Sequence, residues 1–329
     1  MININTKGEI MSTEKKESWW IYEGSSEPHD NIKKLPDAPS WREKRKPKTE
    51  NTFVPSVKEM QLVNTALYLR RPLLITGKPG TGKSSLAKAV AHELKLGKLL
   101  HWQVTTKSTL EEALYAYDAI GRLQDSSMSH EKESSEESRD IGNYVRLGAL
   151  GTAFASKSMR VLLVDEIDKS DIDLPNNLLH VLEENEFTIP ELARLDSDEH
   201  WVNTHGSDEK VKVIKGKVEA ENFPLIIFTS NGEREFPPAF LRRCIHLEIE
   251  VPNEEKLQKI IKAHLNLSSE EEDMVQKVLS KFLEERDKKN QELSTDQLLN
   301  AIFLALKDLN VLDSNKETIL KSIWHSLSK

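Results

Sequence analysis

From Pro72 onward, short apolar runs alternate with stretches in which apolar residues recur every three or four positions. The runs at 73–76, 99–104, 161–164 and 225–229, and the alternating segment 244–249, predict five strands. Helical periods predict helices over 84–96, stopped by Gly97, over 109–120 with Leu110, Leu114 and Tyr117 on one face, and over 176–185 behind Pro175. Near-continuous apolar strands separated by helices are the pattern of a parallel sheet covered on both faces, because such strands meet no water on either side. The expectation is an α/β fold with a parallel five-stranded sheet.

After Pro252 the pattern changes to amphipathic helices alone, over 254–265, 270–288, 294–309 and 316–327. Ser268 with Glu271, and Ser294 with Gln297, fit capping boxes and so mark two helix starts. A helical second unit over 252–329 follows, behind an α/β unit over 51–251. Residues 1–50 hold Pro28, Pro36, Pro39 and Pro47 without a sustained apolar period and read as an arm or linker, with Met11 as a second candidate start. Trp19, Trp20, Tyr22 and Trp41 are unusual in such a segment. They either mark a docking surface or fold back onto the main body. Residues 125–140 are rich in Ser and Glu without an apolar face, and the expectation is a disordered acidic insertion.

Composition narrows the function classes. A chain of 329 residues with 37% hydrophobic and 30% charged positions suits two globular units. No run approaches a membrane span and no secretory signal pattern is present, so the expected location is cytoplasmic. One cysteine excludes an internal disulfide and a thiolate zinc cluster, and the ten histidines show no His-Glu-x-x-His spacing. A formal charge of -8 argues against a dominant nucleic-acid face, although the run from Trp41 to Lys48 is locally basic.

The chemistry lies where strands end. Gly77-Lys78-Pro79-Gly80-Thr81-Gly82-Lys83-Ser84 is a phosphate loop between an apolar strand and a helix, followed by Ser85. Its glycines let successive backbone amides turn toward phosphate oxygens. Lys83 reaches the β and γ phosphates of ATP, and the Ser84 hydroxyl binds Mg2+. The apolar run 161–164 ends in Asp165, which suits the outer coordination shell of magnesium, and Glu166, which suits the carboxylate that polarises an attacking water. Asp168 fits either a helix cap or a supporting role beside the metal. Asn231, after the run 225–229, fits either a turn or a side chain that orients the water. Arg242 and Arg243 open the last strand and could be surface charges.

In this order these elements resemble the AAA+ ATPases, and more closely their MoxR-like branch, over about residues 53–329. The most specific strings are Asp165-Glu166-Ile167-Asp168-Lys169-Ser170, Leu174-Pro175-Asn176-Asn177-Leu178-Leu179, Glu183-Glu184-Asn185-Glu186-Phe187 and Pro238-Ala239-Phe240-Leu241-Arg242-Arg243. The resemblance implies a P-loop core followed by a C-terminal helical lid. It makes Asn231 the sensor-1 residue and Arg243 the arginine finger given to ATP on a neighbouring subunit, with Arg242 as the fallback. It places Val54 and Pro55 near the adenine and the family's inserts at about 118–150 and 187–222. Tyr115 is the nearest aromatic to a pore loop, against the reading of a helix-surface aromatic. Partners implied are further copies in a ring, a hexamer, and a client protein, in this branch often one with a von Willebrand A-domain. Where many relatives carry a sensor-2 arginine, this chain has Ser294-Thr295-Asp296-Gln297. That departure leaves a nucleotide-gated scaffold with little turnover as the alternative to a remodelling ATPase.

Overall fold

A computed structural model describes residues 20–22, 24, 28–39, 41, 42, 52–128, 140–265, 267–288, 292–307 and 317–325. Trp19, Pro47 and positions 129–139 of the expected insertion lie outside them.

Helix α1 (Val57–Leu69) starts at a Ser56/Glu59 capping box and leads into β1 (Leu73–Thr76). The phosphate loop follows, then α2 (Lys83–Glu93) and β2 (Leu100–Gln103). Residues 109–120 do not form one helix. A Thr109/Glu112 capping box starts α3 (Leu110–Leu114), but Tyr115-Ala116-Tyr117 alternates with period two and extends as β3, before α4 (Ala119–Met128). Positions 125–128 of the expected disordered insertion therefore close a helix. Strand β4 (Val145–Leu147) pairs antiparallel with β3 and leads into α5 (Ala149–Ala155) and β5 (Val161–Asp165).

Next come α6 (Leu174–Glu184), β6 (Glu186–Thr188), the single turn α7 (Pro190–Ala193), and strands β7 (Glu199–Asn203), β8 (Lys210–Ile214) and β9 (Lys217–Glu219). Lys215 and Gly216, both at positive φ (50° and 69°), make the two-residue turn whose twist matches a hairpin. Strand β10 (Leu225–Ser230), the turn α8 (Pro238–Leu241) and β11 (Ile245–Glu248) complete the α/β part.

The five strands expected from the apolar runs form one parallel sheet in the order β11-β1-β10-β5-β2. Its three central strands are buried on both faces, as their unbroken apolar sequences require. Alternate residues serve different layers: Leu74, Leu162 and Phe228 face one cluster, while Leu73, Leu163 and Ile227 face α1 and α2. A second sheet, in the order β3-β4-β7-β8-β9-β6, takes most of its strands from the segments where the family's inserts were expected, with β3 just ahead of the first. Tyr115 is buried there, stacked on Phe187 with its hydroxyl donating to Glu191 at 3.0 Å, so it is neither a helix-surface aromatic nor a pore-loop candidate. Burial and Glu191 raise that phenol to about 12.

Helices α9 (Glu254–His264), α10 (Ser269–Leu283), α11 (Thr295–Leu306) and α12 (Glu317–Ile323) bury a separate cluster around Phe282, Leu298 and Trp324. Both expected capping boxes form, at Ser268 and Ser294. Gln297 donates its side-chain amide to Ile323 and His325 carbonyls, tying α11 to the end of α12. Of the arm's aromatics, Tyr22 is exposed, whereas Trp41 packs against the helical cluster. Among the described residues no helix is long and apolar enough to cross a membrane.

Cys244 sits just ahead of β11, and burial pushes its thiol up to about 12 despite Arg71 nearby. The native protein should therefore release no chromophore from a disulfide-exchange reagent at neutral pH, and one equivalent per chain after unfolding. Rapid labelling of the folded protein would contradict this packing.

Candidate nucleotide site

Strands β1, β5 and β10 run in parallel and end on the same edge of the sheet, so the groups that follow them are brought together. After β1 the chain turns through Gly77, Gly80 and Gly82, all at positive φ. Two of these turns also have no room for a side chain. A Cβ at Gly77 would lie 2.5 Å from the Ile249 carbonyl oxygen, and one at Gly80 would lie 2.3 Å from Ser294 Cβ. Gly82 is the residue ahead of α2, whose first amides face the loop. Lys83 folds back so that its ammonium donates to the carbonyls of Gly77 at 2.7 Å and Lys78 at 2.9 Å. Burial lowers its pKa, and the carboxylates of Asp168, Asp165 and Glu166 act in the opposite direction.

Asp165, at the end of β5, is the junction of the site. Its Oδ1 accepts from Ser84 Oγ at 2.8 Å and from Thr229 Oγ1 at 2.5 Å, and His101 Nε2 lies 3.2 Å from Oδ2. Burial pushes this carboxyl up, but the hydrogen bonds from His101, Thr229 and Ser84 outweigh it and hold the group at about 2. An ionised carboxylate beside a serine hydroxyl at the head of a helix is a hard-oxygen donor set, which fits a magnesium ion.

Glu166 adopts a left-handed conformation, with φ of 60°. Its amide donates to Thr229 Oγ1 at 2.9 Å, so one hydroxyl fixes both carboxylate residues. The Glu166 side chain accepts from Gln103 at 2.6 Å and pairs with Lys169 at 2.9 Å. Asp168 is buried, and its Oδ2 accepts the backbone amides of Asn231 at 2.9 Å and Glu233 at 3.1 Å. Asp168 thus shapes the turn that carries Asn231, while its Oδ1 has no partner among the described residues.

These groups open into a cavity of about 580 Å3. Residues 79–85 of the loop line it, with Asp165, Glu166, Asn231 and Val54. Pro55 is not among the lining residues, whereas Phe53, two positions earlier, is. Sequence reasoning missed His101, Gln103 and Thr229. The first two alternate along β2 toward the carboxylates, a period-two signal that a strand assignment could have exposed. The helical part supplies Lys256, Ile260, His264 and Leu299, and Lys256 is held by Glu59 at 2.9 Å.

Arg243 stands elsewhere. It pairs with Glu183, and its carbonyl accepts from Arg71 Nε at 3.0 Å. Together with Arg70, Arg71 and Arg242 it lines a cleft of about 620 Å3. That cleft lies at the amino ends of β1 and β11, whereas the phosphate loop lies at the carboxyl ends. A larger cleft of about 1390 Å3 opens between β2 and β8–β9, but three of its lysines are already paired, Lys212 with Glu199, Lys215 with Asp198 and Lys217 with Glu186.

No curated protein sequence matches the chain. Domain III of the Thermotoga maritima replication initiation protein DnaA is a similar solved structure, at 18% identity and a TM-score of 0.40, covering 84% of this chain and 96% of that one. Residues 72–244 match the family model of the AAA domain (dynein-related subfamily). That span starts ahead of β1, ends ahead of β11 and takes in just over half of the sequence. The chain therefore belongs to the dynein-related subfamily of AAA domains, a family of nucleotide-binding ATPases.

Proposed function

We propose that this chain is a MoxR-like AAA+ ATPase that binds Mg-ATP between its α/β core and helical lid, hydrolyses it between neighbouring copies, and uses the cycle to remodel a client protein. The division into an arm over 1–50, a core over 51–251 and a lid over 252–329 belongs to this reading. The observation that carries it is the split of the chemistry. Lys83, Ser84, Asp165 and Glu166 share one cavity, while Arg243 lines a separate cleft at the far end of β1.

In this reading the loop amides and Lys83 bind the β and γ phosphates, and Ser84 and Asp165 hold the metal. Magnesium, when bound, would neutralise charge on the phosphates. Glu166 takes the proton of the attacking water, and Asn231 orients that water. Gln103 and Lys169 hold the Glu166 carboxylate in place from either side. β1 rises by about 3.3 Å per residue over its length, so Arg243 is out of reach of its own cavity and is supplied to the next subunit. A ring, here a hexamer, closes such head-to-tail contacts. The MoxR-like strings from Asp165 to Leu179 and from Glu183 to Phe187 support the branch, whose members often work with von Willebrand A-domain partners, and a cytoplasmic location belongs to the same reading.

One observation favours a switch with little turnover. The first turn of α11, Thr295-Asp296-Gln297-Leu298, carries no cation for the γ-phosphate, and the side-chain amide of Gln297 is committed to the end of α12.

Replacement Lys83→Ala should abolish measurable ATP binding by calorimetry, and unchanged affinity would remove the phosphate-loop assignment. Glu166→Gln should still bind ATP but hydrolyse it about 10²–10⁴-fold more slowly. Undiminished turnover would move the base elsewhere. Arg243→Ala and Glu166→Gln should each be nearly inactive alone. An equimolar mixture should regain hydrolysis, because some interfaces pair an intact Glu166 with an intact arginine, which contributes about 10³–10⁵ in rate. No rescue, with a monomer by light scattering, would place the chemistry within one chain.

A further inference from the structure

The cavity read above as the nucleotide site is lined by two chemically distinct groups of residues. The loop and the strand-end carboxylates form the phosphate side. The other group is apolar and aromatic, Phe53, Val54, Ile260, His264 and Leu299, with Phe53 beside Gly82 of the loop. One further wall belongs to neither the core nor the lid: Trp41 of the N-terminal arm lines the same cavity.

Trp41 is held there by specific contacts. Its indole N–H donates to Asn300 Oδ1 at 3.1 Å, and Asn300 Nδ2 donates to Asp296 Oδ2 at 3.0 Å. The next arm residue, Arg42, lies 3.8 Å from the same Asp296 oxygen, an exposed pair that adds little energy but closes the circuit. Two consecutive arm residues thus engage two positions one turn apart on α11. His264 and Phe303 meet the indole edge-on, at interplanar angles of 73° and 80°. Among the described residues no ring stacks flat on it. A half-buried indole of this kind, fixed at its polar end and bordering an apolar cavity, is suited to receive a planar base.

We propose that Trp41 is a nucleotide-binding residue, supplying one wall of the base end of the site, so that the arm docks onto the lid as part of the ATP pocket. The proposal rests on the cavity being the nucleotide site. It accounts for one of the arm's aromatics, which the assigned motifs leave unexplained.

The test compares ATP with inorganic tripolyphosphate, which lacks base and sugar, as ligands of the full chain measured by calorimetry. Trp41→Ala should weaken ATP binding by about 10–100-fold, the range for loss of one base–aromatic stack, and leave tripolyphosphate binding unchanged. Trp41→Phe, which keeps a ring but not the indole N–H, should retain most ATP affinity, and Lys83→Ala should weaken both ligands. Unchanged ATP affinity in Trp41→Ala, with Lys83→Ala impaired, would overturn the role of the arm while leaving the nucleotide site intact. Equal weakening of both ligands in Trp41→Ala would assign the residue to packing alone and equally overturn the proposal. A wild-type chain that binds neither ligand would remove both readings.

Discussion

The site is organised by one half-buried negative charge. An ionised carboxylate at the end of an apolar strand is costly unless hydrogen bonds replace its water, and Asp165 obtains them from three separate elements. Ser84 ties it to the head of α2, Thr229 to β10 and His101 to β2, so four pieces of the sheet edge are fixed relative to one point. Thr229 acts twice, because its hydroxyl donates to Asp165 and accepts the Glu166 amide. That double contact holds Glu166 in a left-handed conformation that a non-glycine residue reaches only when its surroundings impose it. The positions of the Asp165 carboxylate and of the adjacent glutamate are thus parts of a single arrangement.

The helical part meets this edge at few but specific places. Lys256 from α9 reaches the buried Glu59, which also serves the capping box of α1, so one carboxylate both starts a core helix and anchors a lid helix. Its ammonium lies over the ring of Phe53, 5.9 Å from the centroid, beside Gly82 of the loop. Salt bridges of this half-buried kind fix geometry more than they add stability.

Most of the parallel sheet was legible because its strands are buried on both faces and leave unbroken apolar runs. The phosphate loop and the strand-end carboxylates were legible because their spacing is itself the chemistry. The second sheet was not, since its strands are three to five residues long and half exposed, and Tyr-Ala-Tyr at 115–117 satisfies a helical period as well as an alternating one. His101, Gln103 and Thr229 escaped because each is an ordinary polar residue whose role depends on where a neighbouring strand ends. Trp41 drew notice as an aromatic in a polar arm, but its partner Asn300 is 259 positions away, and no local pattern reports such a contact.

Gly80 ties these observations together mechanically. The absent Cβ that lets the loop curl is also what allows Ser294 to lie against it. Helix α11 is a stiff rod, and a displacement at its first residue is carried along its axis to Leu299 and Asn300, and through Asn300 to the indole of Trp41. A side chain at position 80 would act as a wedge under one end of a lever whose other end closes on the apolar half of the cavity. The loop and the aromatic wall of the cavity would then be displaced together, although no atom of the latter had been changed.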